Sequence, residues 1–354
     1  MSKRGLSTII TTLIMILLTL VAVGMIWLVV MNILKSSAED INIGKFTIDL
    51  DIKSVQIDNN NVMIKIKRNV GAGEISGLKF AVSDGFNISV YEETTNIKEL
   101  EEKTYILNYD GGLVKSVSIA PILKTSSGKE KTGNIIAEKE FSNYDVVKNI
   151  PGLVSWWRFE GNANDEIGEN DGTLTNGVDC NVQGKYGKAC EFDAIDDYVD
   201  VGNDVSLSIG FSDQTYEGWF KTAAKQTSTY TALVERYGSI SRFNLGFGTN
   251  GQVIAFLVDV NGNSAVAISP TAYDDDKWHH IAMVRTPTTL TLYVDGVAVV
   301  TKDATSVTNV TVPYPVNIGQ WAGRFFNGTI DEVMIFNRAL SVNEVKAIYN
   351  LDLS

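Results

Sequence analysis

Three acidic residues within six positions, Glu191, Asp193 and Asp196, are the first candidates for catalysis in this sequence. Retaining glycosidases hold two carboxyl groups about 5 Å apart, one as the nucleophile and one as the acid and base. Alternate residues of a β-strand point to the same face, so Glu191 and Asp193 have a suitable spacing. One interpretation of this segment is therefore a glycan hydrolase.

A histidine pair, His279 and His280, is the second candidate for acid–base chemistry or metal binding. Histidine changes its charge near neutral pH more readily than any other side chain. The pair follows Trp278 at the start of a predicted strand, where alternation puts His280 on the same side as Trp278. This placement favours packing in a core or at its rim over catalysis.

Aromatic and basic residues cluster at Trp321, Arg324, Phe325 and Phe326. Carbohydrate sites combine an aromatic platform with a few fixed polar groups, and this cluster has both. We expect Trp321, Arg324 and Phe325 to form the rim of a ligand site. The alternative is that Trp321 and the two phenylalanines belong to the core.

The chain has only two cysteines, Cys180 and Cys190, and no histidine near them, which argues against a zinc site. In an exported protein the pair is expected to form a local disulfide, whereas in the cytosol both would be thiols. We predict the disulfide, because the N-terminal segment indicates export.

The overall composition is that of a globular protein with room for two modest cores: 354 residues, 44% hydrophobic and 20% charged. The formal net charge of −12 comes without a cluster of Lys and Arg. Nucleic acid is therefore excluded as an expected partner, because binding phosphates needs such a cluster.

An apolar segment of 29 residues, Leu6–Leu34, carries no charge and follows Lys3 and Arg4. As a helix it would be about 43 Å long, more than the hydrocarbon core of a membrane, which is about 30 Å thick. We predict a membrane-inserted helix over residues 6–36. The positive-inside rule puts the N-terminus in the cytoplasm and the later residues outside.

The junction Lys3-Arg4-Gly5-Leu6 joins a short basic leader, residues 1–5, to the apolar helix. It resembles the leader of archaeal type IV pilins, and the resemblance implies cleavage between Gly5 and Leu6, before the helix. The freed helix would then assemble with copies of itself in a filament. The position where bacterial pilins have Glu is Ile10 here. The alternatives are an uncleaved single-span anchor and a secretory signal cut near Ala38.

Residues 37–150 show the alternation of half-buried strands, as in Phe46, Ile48, Leu50 and Ile52. We predict a small β-sandwich that acts as a structural spacer or pilin head. Three sequons, at Asn87, Asn309 and Asn327, fit a glycosylated surface protein.

Residues 151–354 contain strand-like runs between turns, including a hairpin with Asp295-Gly296 at its turn. Near the end, Ser341 and Glu344 form the pattern of a helix capping box. Six blocks in order resemble the LamG-like (concanavalin A-like) jelly roll: Gly152–Phe159, Asn170–Leu174, Gly184–Asp193 continued by Asp196–Val199, Trp278–Ala282, Leu290–Val299 and Gly328–Ser341. The expected fold class is thus mostly β, with one long N-terminal helix, a small sandwich and a jelly-roll sandwich.

The resemblance also bears on catalysis and on metal binding. Phe192-Asp193 coincides with a block of the non-catalytic LamG-like domains, and Asp196 stands where the glucanase pattern has Glu. No enzyme activity is therefore expected. In a jelly roll the first and last strands lie together, which would bring hard oxygen ligands to one structural Ca²⁺. The expected ligands, which could equally be acids in solvated turns, are Glu160, Asp165, Asn170 and Asp331.

The sequence therefore favours a pilin-like subunit of a cell-surface filament, inserted in the cytoplasmic membrane before assembly. Its C-terminal domain is expected to bind surface glycans or proteins in adhesion. The alternative is a lectin-like surface protein with a single-span anchor that never polymerises. A surface glycan hydrolase is less favoured.

Overall fold

The computed structural model describes residues 47–58, 61–85, 87–124, 129–207, 213–223, 230–248, 250–310 and 313–353. The predicted leader, the 6–36 helix and the Gly5–Leu6 processing site lie outside these residues. Within the described part of the chain, no helix is long and apolar enough to cross a membrane. Two compact units divide between Pro151 and Gly152.

The first unit is built from short antiparallel strands in which buried and exposed residues alternate. In its second strand, Val62, Ile64 and Ile66 are buried while Asn61 and Lys65 are exposed. The elements are β1 (Leu50–Asp58), β2 (Asn61–Arg68), β3 (Ile75–Ser83), β4 (Ile88–Thr94), β5 (Glu102–Asn108), β6 (Ser116–Lys124), β7 (Glu130–Thr132), β8 (Ala137–Glu140) and helix α1 (Asn143–Lys148).

These strands form two sheets around one core. The order is β1-β2-β5 in one sheet and β4-β3-β6-β7 in the other, with β8 also paired to β6. Side chains from both sheets, including Ile64 and Phe80, belong to a single hydrophobic cluster. Burial of one face of each sheet explains the period-two pattern seen in the sequence.

The second unit contains more and longer strands. They are β9 (Leu153–Trp157), β10 (Thr173–Thr175), β11 (Asp179–Gln183), β12 (Lys188–Asp193), β13 (Tyr198–Gly202), β14 (Gln214–Lys221), β15 (Tyr230–Tyr237), β16 (Arg242–Gly248), β17 (Gln252–Val258), β18 (Ser264–Ala272), β19 (Trp278–Arg285), β20 (Thr289–Val294), β21 (Val297–Asp303), β22 (Val316–Ile318), β23 (Gln320–Trp321), β24 (Arg324–Phe325) and β25 (Asn327–Phe336). A 3-10 helix covers Val205–Leu207, and helix α2 covers Val342–Tyr349.

Two large antiparallel sheets face each other in this unit. One has the order β10-β13-β22-β15-β16-β17-β18, and the other has the order β11-β12-β25-β14-β19-β20-β21 with β9 added beside β25. Trp157, Phe243 and Ile281 are among the buried side chains that both sheets contribute to a single core. The predicted mostly β fold with a jelly-roll sandwich is confirmed.

Helix α2 begins with the capping box expected from the sequence. The Ser341 side chain accepts from the Glu344 N–H, and the Glu344 carboxylate accepts from the Ser341 N–H. The helix covers the outer face of the eight-stranded sheet, where Tyr349 stacks on Trp219 with ring centroids 5.5 Å apart. That face is therefore closed to solvent at its centre.

The two cysteines are bonded to each other, as predicted. Cys180 lies on β11 and Cys190 on the adjacent β12, and both are buried in the core. The disulfide therefore links the two strands at one edge of the eight-stranded sheet.

Reduction of this disulfide should destabilise the second unit, because the bridge limits the freedom of the unfolded chain. For a loop with a sequence separation of 10 the loss is about 3 kcal/mol. Denaturant titration with and without reductant, followed by tryptophan fluorescence, measures it. Since the chain has no other cysteine, a Cys180→Ala, Cys190→Ala double variant is the control and should not respond to reductant. An unchanged midpoint in the natural chain would contradict the prediction.

Candidate functional site

A row of polar side chains crosses the outer face of the seven-stranded sheet. Asp200, Asn317, Glu235 and Asn244 lie directly opposite one another on β13, β22, β15 and β16. Their neighbours along each strand, such as Phe243 and Leu245 beside Asn244, belong to the core. Because successive strand residues point to opposite faces, these four point away from the core. We call them the polar row.

Hydrogen bonding within the polar row is incomplete. Asn317 Nδ2 donates to Glu235 Oε1 at 2.9 Å, and Asn244 Nδ2 donates to the Thr231 carbonyl at 3.4 Å. Glu235 and Asn244 are each only 1% exposed. Among the described residues, neither Glu235 Oε2 nor Asn244 Oδ1 has a hydrogen-bond partner. Buried polar atoms of this kind are rare, which makes the row a candidate site.

Burial also sets the charge of Glu235. Loss of contact with water raises the pKa of this carboxyl to about 8, although the hydrogen bond from Asn317 acts in the opposite direction. Glu235 is therefore mostly an uncharged acid at pH 7. Asp200, at the other end of the row, is partly exposed and accepts from the Gly202 N–H at 2.8 Å.

The hairpin formed by β23 and β24, residues Gln320–Phe325, lies against β15 on this sheet. Trp321 is 5% exposed, and its ring meets those of Tyr237 at 5.3 Å and Phe256 at 6.0 Å. Tyr237 is on β15 and Phe256 on β17, so the indole lies over the intervening strand β16. The guanidinium of Arg242 lies over the same two rings, 5.9 and 5.6 Å from their centroids. Trp321 thus anchors the 320–325 hairpin.

The other strand of the hairpin presents a more open aromatic surface. Phe325 and Tyr198 are both partly exposed, with ring centroids 6.3 Å apart, and Arg324 beside them is exposed. Tyr198 precedes Asp200 by two residues on β13, so both point to the outer face. The Phe325–Tyr198 pair therefore stands next to the polar row.

The structure separates the predicted ligand residues. Arg324 and Phe325 lie at the surface of the candidate site, whereas Trp321 is buried beneath the hairpin. Phe326 is fully buried and stacks on Phe247 at 4.6 Å. For Trp321 and Phe326 the alternative of a packing role therefore fits better.

The four predicted calcium ligands make hydrogen bonds to several segments of the second unit. Asp165 accepts from the N–H groups of Trp156 and Ile167, and the buried Asn170 amide donates to Ser155 Oγ, so this pair orders its own loop. Asp331 is buried elsewhere, against residues 184–188, where it accepts from the Lys185 N–H. Asp165 and Asp331 thus accept from backbone N–H groups of different segments.

The fourth predicted ligand, Glu160, accepts from the Lys188 N–H and lies 3.5 Å from the Arg158 guanidinium. The described residues bring three acids together at a different place, the turn containing Asp193, Asp196 and Asp197. Asp193 and Asp197 accept N–H groups of the same region. Calcium binding stays a prediction.

The residues first considered for catalysis lie in ordinary structural positions. Glu191 and Asp193 are exposed, and Asp193 Oδ1 accepts from the Ile195 N–H at 2.7 Å. His279 lies between Asp295 and Asp275, at 2.9 and 3.0 Å from their carboxylates. The His279 ring also contacts that of Tyr273, with centroids 5.0 Å apart.

His280 is buried beneath helix α2, with its Nε2 3.7 Å from Glu217 Oε2. Burial raises the pKa of Glu217 to about 8 and lowers the pKa of His280 to about 4. Both groups are therefore mostly uncharged at pH 7. Sequence reasoning did not single out Glu217, which lies between Tyr216 and Gly218 on β14.

The three sequons differ in exposure. Asn87 is exposed in the turn between β3 and β4, whereas Asn309 and Asn327 are half-buried. Asn327 pairs with Asp193 within the sheet. Glycosylation at these positions stays a prediction.

Sequence reasoning also missed all four members of the polar row. They are far apart in the chain, and only the sheet register makes them neighbours. One local signal existed: Asn244 interrupts the apolar run Phe243–Phe247 at a position of the outer parity.

A family profile described as the concanavalin A-like lectin/glucanases superfamily matches residues 193–346. The matched residues lie within the second unit, and its two facing antiparallel sheets agree with the jelly roll that the sequence predicts. No curated protein sequence matches the chain.

Several solved structures are similar in fold. The binding domain of Paraclostridial Mosquitocidal Protein 1 is 19% identical with a TM-score of 0.49, over 56% of this chain and 52% of that one. Domain 4 of AbnA, a GH43 extracellular arabinanase from Geobacillus stearothermophilus, in complex with arabinotriose, is 19% identical with a TM-score of 0.48, over 56% and 98%. The binding domain of botulinum neurotoxin serotype G is 13% identical with a TM-score of 0.47, over 56% and 50%. The chain spans about half the length of these two toxin domains.

The stability of the second unit should fall as pH rises from 6.5 to 8. Glu217 and Glu235 have folded pKa values near 8, above their ordinary value of 4.5, so the folded state binds more protons in this range. Each group then lowers the free energy of unfolding by up to about 1.4 kcal/mol per pH unit. His280 acts with the opposite sign, but only as pH falls from 6.5 to about 4.

Urea titrations at pH 6.5 and 8 measure this dependence. The buried Asp331 and Glu332, whose pKa values burial also raises, act in the same direction. Glu217→Gln removes one contributing group and should make the pH dependence weaker, while the exposed Glu191→Gln is the matched control and should leave it unchanged. Equal stability at both pH values would show that these carboxyls are not held protonated.

Proposed function

We propose that this chain is a pilin-like subunit of a cell-surface filament, and that its second unit binds glycans or glycosylated proteins in adhesion. The observation that carries the binding role is the partly exposed Phe325–Tyr198 pair beside the polar row. Sugar rings present C–H groups that stack on aromatic faces and hydroxyls that hydrogen-bond to fixed polar groups. This surface supplies both kinds of contact.

The accessible surface suits binding better than hydrolysis. Retaining hydrolysis needs two carboxyls about 5 Å apart that face the substrate. Glu191 and Asp193 are exposed to solvent, and Asp193 is held by its own turn. The buried acid Glu217, beneath α2, has no open surface beside it from which a sugar could approach.

The filament role rests on the sequence before the described residues. The uncharged segment Leu6–Leu34 follows Lys3 and Arg4, and the junction at Gly5 and Leu6 resembles a pilin processing site. Helices of this kind can bury against copies of themselves the apolar surface that they expose to lipid, which favours assembly. The second candidate is an uncleaved tether that presents the same binding unit at the surface.

Phe325→Ala should weaken binding to a recognised polysaccharide by about twofold to tenfold, because an aromatic stacking contact contributes about 0.5–1.5 kcal/mol. A panel of soluble polysaccharides in affinity electrophoresis, followed by calorimetry on the best binder, measures the effect. Tyr144→Ala, a partly exposed aromatic residue of the first unit, is the matched control. Equal binding by both variants would remove Phe325 from the site.

Mass spectrometry of the native protein should find an N-terminus at Leu6. A chain that still begins at Met1, or one cut after Ala38, would contradict the filament role. Immunogold electron microscopy of cell surfaces separates the two candidates, because labelled fibres are expected of a filament subunit and diffuse surface label of a tether.

A further inference from the structure

We infer that the polar row binds the hydroxyl groups of an uncharged sugar residue, and that the site selects neutral glycans over anionic ones. The inference rests on the proposed function and specifies its ligand class. It starts from the two buried oxygens without a partner, Glu235 Oε2 and Asn244 Oδ1. An unpaired buried polar atom costs free energy, and a ligand that pairs it recovers that loss.

The hydrogen-bonding groups of the row determine what the ligand must offer. The Asn317 and Asn244 amides already donate within the protein, to Glu235 Oε1 and to the Thr231 carbonyl. The atoms left over include Asn244 Oδ1, which can only accept. The ligand must therefore donate at this point. A hydroxyl donates and accepts, so it also suits Glu235 Oε2 whether or not that oxygen carries the proton.

The charges around the row argue against an anionic ligand. The Asp200 carboxylate is partly exposed at one end and would repel a sugar carboxylate or sulfate. Arg242, at the other end, lies over the rings of Tyr237 and Phe256, and the exposed Arg324 stands beside Phe325 and not in the row. A cationic sugar is not required either, because burial keeps Glu235 mostly uncharged.

The 320–325 hairpin controls access to the row. Trp321 contacts the rings of Tyr237 and Phe256, which lie on either side of β16, the strand that carries Asn244. The base of the hairpin is closed by the Phe326 N–H, which donates to the Gly319 carbonyl at 2.8 Å. Gly319 has φ = 86° and Gly323 has φ = 75°, conformations that glycine adopts without strain. A sugar that reaches the row must therefore displace this hairpin, with Phe325 stacked on the sugar as its hydroxyls enter.

The test uses the purified full chain, in detergent because of its apolar N-terminal segment, and paired polysaccharides that differ in charge. Galactan against polygalacturonate, and unsulfated against sulfated galactan, are suitable pairs for calorimetry. We expect binding to the neutral member of a pair only. Asn244→Leu should weaken it about tenfold, the loss of one or two ligand hydrogen bonds. Glu235→Gln, which keeps the shape and the neutral state, should change it by less than about threefold.

Asn181→Leu, at an exposed asparagine of the other sheet, is the matched control and should bind as the natural chain does. Thermal unfolding checks that each variant is folded. If Asn244→Leu is not, Asn317→Ala at the half-buried part of the row replaces it, with the same expected loss.

The outcomes separate the inference from the proposed function. Binding to the anionic member alone, which would point to the exposed Arg324, overturns the inference and leaves a glycan-binding protein. Neutral binding that Phe325→Ala weakens but the row variants do not also overturns it, because water would then fill the row. A strong loss with Glu235→Gln would show that the ligand needs a charge there, again against the inference. If no glycan binds at all, the proposed function itself fails.

Discussion

Burial of the inner faces of the two large sheets against each other is the constraint on which the second unit depends. Each strand must give alternate residues to the shared core, so Phe243, Leu245, Val316 and Ile318 are fixed in position by packing. The residues between them must therefore lie on the outer faces of the sheets. Core packing thus also aligns Asn317 with Asn244 across Glu235. The backbone positions of the site are fixed by the same packing.

The outer faces of the two sheets differ in how they are covered. Helix α2 and Tyr349 close the centre of the eight-stranded sheet, and the acid Glu217 beneath them is kept uncharged by that burial. The seven-stranded sheet is covered by the small 320–325 hairpin, which leaves Phe325 and Tyr198 partly open. The open aromatic pair and the polar row are therefore both on the seven-stranded side, the face proposed for binding.

Local patterns in the sequence were enough to predict the strands, the capping box at Ser341 and the Cys180–Cys190 disulfide, because each depends on residues close together in the chain. The jelly roll could be predicted because its motifs occur in a set order. Local patterns predicted only part of the candidate site. Arg324 and Phe325 were found from their local clustering, but the same cluster left open whether Trp321, which is buried, belongs to the rim or to the core. The polar row depends on strand register between distant segments, which no local pattern shows.

The pairing of β9 with β25 has a mechanical consequence. Strand β9 is the first of the second unit, and β25 follows the 320–325 hairpin directly, so these strands join the chain that leads from the first unit to the candidate site. In their antiparallel register Leu153 lies beside Phe336, at the end of β25 that is remote from Asn327. A pull between Pro151 and a ligand held at the hairpin would act on opposite ends of the two strands. This force would run along the strands, perpendicular to the hydrogen bonds between them. All of these bonds would therefore resist it at the same time, and they would not break one after another.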